Sequence, residues 1–116
     1  MTAADRIQNL KNQIAGLGPV LPGSISQQWN VCGKAGCRCK DPKKPRKHGP
    51  YYQLSFTIGG KSSSLFLRKE EVLLARQVVA RNRTFRRLCA ELTAAYVAAA
   101  RRQGLAELCQ QASNRG

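Results

Sequence analysis

Acid is scarce in this chain. Six Asp and Glu residues stand against 20 Lys and Arg, and the 116 residues carry a net charge of +14. With so few carboxylates and a single histidine, little is available for general acid–base chemistry. A Gly-rich phosphate loop and a nucleophile elbow are also missing, so an enzyme is not expected. Glu70 and Glu71 read as first-turn helix acids that complement the macrodipole. No run approaches the roughly 20 apolar residues of a membrane span. The start, MTAADRIQNLKNQ, lacks the apolar core of a signal peptide. The expected location is therefore the cytoplasm, where disulfides are rare. Five cysteines, an odd number, point away from a disulfide framework in the same way. There is no internal repeat.

What is present fits one small α+β domain. A core this size is helped by a metal, a disulfide or a partner chain. Residues 1–18 read as an N-terminal helix, with Ile7, Leu10, Ile14 and Leu17 as a narrow apolar seam. Gly16, Gly18, Pro19, Pro22 and Gly23 end it. Residues 19–68 read as a three-stranded antiparallel sheet. ISQQWNV (25–31) alternates as a first strand, and YYQLSFTI and KSSSLFL flank Gly59-Gly60 as a central hairpin. Pairing Ile58 with Lys61 sets Phe56 opposite Ser63, Leu54 opposite Leu65 and Tyr52 opposite Leu67, an apolar face expected to pack on the core. The other face carries Tyr51, Gln53, Ser55, Thr57, Ser62, Ser64, Phe66 and Arg68. It is either solvated surface or a source of hydrogen bonds to phosphate. Residues 69–104 read as a long helix whose stripe runs through Phe85, Leu88, Cys89, Leu92, Tyr96 and Ala99. At Arg81-Asn82-Arg83-Thr84 it is expected to bend, or to restart with Thr84 as cap. Residues 105–116 read as a loose tail that adds one turn and frays at SNRG. The N-terminal seam needs a cover, which the long stripe supplies either within one chain or across a homodimer.

Residues 31–52, VCGKAGCRCKDPKKPRKHGPYY, concentrate the chemistry. The spacing is Cys32-x4-Cys37-x-Cys39-x8-His48. Three thiolates and one imidazole make a closed tetrahedral zinc shell. Gly33 and Gly36 let the backbone turn, Lys34, Arg38 and Lys40 favour thiolates, and Pro42 and Pro45 stiffen the path to His48. An iron–sulfur cluster, a redox pair at Cys37-x-Cys39 and inert thiols are the competing readings. A histidine as the nearby fourth ligand argues against iron–sulfur. Cys89 sits on the apolar stripe and reads as a small core residue.

The charge points to a polyanion. Lys34, Arg38, Lys40, Lys43, Lys44, Arg46 and Lys47 lie in the same stretch with one acid, Asp41. Lys61, Arg68 and Lys69 flank the hairpin, and Arg76, Arg83 and Arg87 share a helix face. The expected partner is nucleic acid, DNA ahead of RNA, held mainly through phosphate. A membrane surface fits less well, because no long basic amphipathic stretch exposes large apolar residues. Trp29, Tyr51 and Tyr52 lie near the basic loop; Tyr52 reads as core and Tyr51 is open between core and base stacking. No helix-turn-helix or finger spacing is present.

The combination LPGSISQQWNVCGKAGCRCK…KHGPYYQLSFTIGGKSSSLFLRKEEV resembles a small, widespread prokaryotic family of uncharacterised proteins. A Leu-Pro-Gly-Ser opening, Cys-Gly-Lys-x-x-Cys-x-Cys and His-Gly-Pro-Tyr-Tyr carry the likeness over about residues 21–100. The N-terminal helix and the tail after Gly104 lie outside it. The resemblance implies an association with mobile genetic elements such as transposons. It makes Cys32, Cys37, Cys39 and His48 motif residues and implies no catalytic residue. The leading expectation is a zinc-stabilised nucleic-acid-binding accessory protein, helping a larger transposase or nuclease. The alternative is a helical adaptor or dimer that assembles proteins or RNA–protein complexes.

Overall fold

The computed structural model describes residues 2–114, with side chains to residue 110. It is an α+β chain: helix α1 (Ala3–Ala15), strands β1 (Ser24–Asn30), β2 (His48–Ile58) and β3 (Lys61–Leu67), then helices α2 (Val72–Gln103) and α3 (Leu105–Asn114). The three strands form one antiparallel sheet in the order β1-β2-β3. Two compact units emerge, Val20–Ala80 and Met1–Pro19 with Arg81–Gly116, and their boundary falls inside α2.

In the sheet unit, the hairpin has the register its turn dictates. Gly59 and Gly60 both take positive φ, and Ile58 pairs with Lys61, Leu54 with Leu65 and Tyr52 with Leu67. Leu54, on the middle strand, is fully buried; Ala75 and Val79 of α2 complete the buried apolar set with Cys39. Tyr52, Phe56 and Leu67 are half-buried. Leu65 and Ile58 are exposed, so the cover does not reach the turn end of the apolar face.

β1 is one residue out of step with the expected strand. It starts at Ser24, ends at Asn30 and leaves Val31 exposed. It pairs Ile25 with Leu54, Gln27 with Tyr52 and Gln28 with Tyr51, and then the register shifts to Asn30 with His48. Gly49 and Pro50 thus face Trp29 alone, a bulge in β2. Gly49 has φ 142°, and a Cβ there would lie 2.8 Å from the Gln28 carbonyl oxygen and 3.2 Å from the Trp29 ring. Glycine is required at that point.

In the helical unit, Thr2 and Asp5 close a reciprocal cap on α1. Thr2 Oγ1 accepts from the Asp5 N–H at 3.1 Å, and Asp5 Oδ2 accepts from the Thr2 N–H at 3.2 Å. The seam is covered within the chain: Ile7 and Leu10 are buried, as are Leu88 and Ala99 of α2. Ala3 and Arg6 share a groove with Ala94, Ala95 and Ala98, while Arg81 donates to the Pro19 carbonyl at 2.7 Å. α1 therefore runs antiparallel to this part of α2.

Two expectations about the helices need correction. The expected restart at Thr84 does not occur: residues 81–84 lie inside one continuous helix and Thr84 caps nothing there. Arg81, half-buried, donates to the linker carbonyl at Pro19 within this run. Where one loose turn was expected, α3 forms over ten residues. Of the four residues expected to fray, the side chains of Ser113 and Asn114, and Arg115 and Gly116 altogether, lie outside the described residues. No helix among the described residues is long and apolar enough to cross a membrane.

Candidate metal centre

Antiparallel pairing of β1 and β2 creates the site. Asn30 faces His48, so Cys32, two residues on, arrives beside the histidine. In an unbroken ladder Asn30 would oppose Gly49. The extra residue of the bulge shifts the pairing to His48 and re-aims its side chain. Cys37 then opens a 3-10 turn, Arg38–Lys40, that carries Cys39. The Lys40 N–H donates to the Cys37 carbonyl at 3.0 Å, which fixes the Cys-x-Cys geometry.

The ligand atoms of Cys32, Cys37, Cys39 and His48 all lie within 4.8 Å of one another. Cys32 Sγ and Cys39 Sγ are 3.5 Å apart, and Cys37 Sγ is 3.1 Å from His48 Nε2. Sulfurs on a tetrahedral zinc ion stand about 3.8 Å apart, as Zn–S bonds of about 2.3 Å require. Donor set and spacing are thus compatible with zinc. Cys39 is buried; the other three are half-buried. Cys89 and Cys109 are not part of the cluster.

Backbone donors act on the sulfurs. The Cys32 N–H donates to Cys39 Sγ at 3.3 Å. The Cys37 thiol is lowered from 9.0 to about 6, first by the backbone of Cys39 and then by the side chains of Cys32, His48 and Cys39. Burial pushes the Cys39 thiol up, and the Cys32 N–H opposes that rise. One sulfur is therefore prepared as a thiolate, and the buried one would be deprotonated by a cation placed among them.

The basic loop hangs from this cluster. The Arg38 carbonyl accepts from the Arg46 N–H at 2.9 Å and the Asp41 N–H at 3.2 Å, which ties the loop's ends together. Asp41 Oδ1 accepts from the Lys43 N–H at 2.9 Å. The loop's one acid is thus spent on its own backbone, an Asx turn whose only sequence signal was Asp-Pro-Lys. Lys34, Arg38, Lys40, Lys43, Lys44, Arg46 and Lys47 are all exposed. Lys61, Arg68, Lys69 and Arg76 are exposed on the same unit, while Arg83 and Arg87 are exposed on the helical unit. Arg68 donates its N–H to Glu71 Oε1 at 2.9 Å, and its side chain makes only a 4.0 Å ion pair with that carboxylate. A cleft beside the cluster is lined by Cys32, Lys34, Cys37, His48 and Tyr51.

Fold and site together define a small α+β protein with a candidate Cys3His metal clip at the base of a basic loop. The chain belongs to the family described as "Domain of unknown function (DUF6788)", whose model matches residues 3–77. That span takes in α1, which the motif resemblance left outside, and stops within α2. Neither the curated proteins nor the solved structures contain a match to the chain.

Proposed function

We propose that the protein is a zinc-stabilised nucleic-acid-binding accessory module. Cys32, Cys37, Cys39 and His48 hold the ion, and the loop it anchors grips phosphate. DNA is the expected polymer, and the setting that fits best is a mobile element whose larger transposase or nuclease the module assists. One observation carries this reading: seven exposed cations are displayed by a loop closed on a four-ligand cluster, and its one acid accepts from the loop's own backbone. In bulk water such like charges repel; on a polyanion each neutralised phosphate releases a counterion. The ion contributes folding free energy and holds the loop, and catalysis is not part of the role.

Fluorescence anisotropy with a labelled duplex, repeated at several salt concentrations, tests it. Log affinity is expected to fall linearly with log salt, with a slope of about −4 or steeper for five or more phosphate contacts. A slope near zero, or no binding at low salt to duplex or single strand, contradicts the reading.

A further inference from the structure

The outer face of the sheet carries something a phosphate grip does not need. Phe66 is 80% exposed there, and Tyr51 is 42% exposed. Their register makes them near neighbours. Phe66 pairs with Gln53, and Tyr51 lies two positions along β2, diagonal to Phe66. Diagonal side chains on a sheet stand about 7 Å apart, within reach of aromatic rings. Around them the face is polar and uncharged or basic: Ser26 pairs with Gln53, Gln28 with Tyr51, and Arg68 follows β3 at the place that extends the ladder opposite Tyr51. No acid sits on this face. Tyr51 also lines the cleft that holds Lys34, Cys32, Cys37 and His48, so its end of the aromatic pair opens onto the basic loop's base. Folding does not account for the Phe66 ring. The apolar core uses the opposite face, through Leu54, and an aromatic left this exposed contributes little burial.

We infer that Tyr51 and Phe66 form a stacking platform for unpaired bases, so that the nucleic acid this face takes is single-stranded. The inference rests on the proposed nucleic-acid function and names its substrate class. Bases have two π-faces to offer only when they are out of a duplex, and flat aromatics on a polar sheet face accept them without regard to sequence. Arg68 and Lys34 neutralise the phosphates on either side, and Gln53, paired with Phe66, adds a hydrogen-bonding side chain beside the rings.

The test compares three labelled probes at one salt concentration: a 15-nucleotide oligo(dT), an abasic phosphodiester strand of equal length, and a duplex. An oligo(rU) strand serves as the RNA arm. The expected result is tightest binding to oligo(dT) or oligo(rU), and a loss of about ten- to a hundredfold in Phe66→Ala and Tyr51→Ala. Neither variant should weaken binding to the abasic strand, and Phe66→Trp should keep the affinity. Circular dichroism of each variant separates lost stacking from lost fold. Equal affinity for all probes, unchanged in Phe66→Ala, overturns the platform and leaves the phosphate grip standing. No binding to any probe at low salt overturns both.

Discussion

His48 and Gly49 show how much one residue decides. The histidine reaches the sulfurs because β2 holds one more residue than β1 opposite Trp29, and that bulge needs a residue without a side chain at 49. Gly49→Ala is expected to destabilise the fold by about 1–3 kcal/mol and to weaken zinc binding with it, read by thermal melts and a chelator competition. Unchanged zinc affinity would show that the bulge does not place the ligand. Cys39→Ala should weaken zinc more than tenfold in the same competition. Protons compete with zinc for the sulfurs, so acid weakens binding. Cys37 stays a thiolate down to about 6, and below that pH it also takes up a proton. The fall in zinc affinity should therefore steepen below about pH 6; a flat profile from pH 8 to 5 contradicts thiolate ligation. The ligand residues were legible in the sequence because three thiols and the one histidine crowd a short stretch. Gly49 was not, because its constraint comes from Gln28 and Trp29, some 20 residues away in the chain.

Among the elements, the hairpin register and the long α2 were readable, and the continuity of α2 through residues 81–84 was not. Gly59-Gly60 permits one turn, and the turn sets the register for every pair down to Tyr52 and Leu67. For α2, Arg81-Asn82-Arg83-Thr84 looks like a break to any reading by periodicity. The helix passes through it, and Arg81 there donates to the Pro19 carbonyl, 62 positions back in the chain. The same limit hid Phe66: alternation assigned it to the polar face, and only the paired sheet shows how far it protrudes. The cap on α1 gives a modest, separable prediction. Thr2→Ala should cost about 1 kcal/mol by thermal unfolding, with zinc and nucleic-acid binding unchanged. In the loop the effects should be reversed: Lys43→Ala with Lys44→Ala should not lower the melting temperature and should reduce the salt slope by about 2.

At the scale of the whole molecule the charge of +14 is the dominant fact. Salt screens its self-repulsion and equally screens its attraction to phosphate. Added salt should therefore raise the melting temperature of the free protein while it weakens binding. The family match over residues 3–77 covers α1, the sheet, the cluster and the basic loop together, and Lys34–Lys47 with the four ligands all fall inside it. The proposed function rests on an ion at these four ligands holding that loop. Native mass spectrometry of the protein purified without added metal is the most direct test. One zinc per chain, lost with the fold when a strong chelator is added and absent from Cys32→Ser, is the predicted result. A metal-free chain that keeps its circular dichroism in chelator would contradict it.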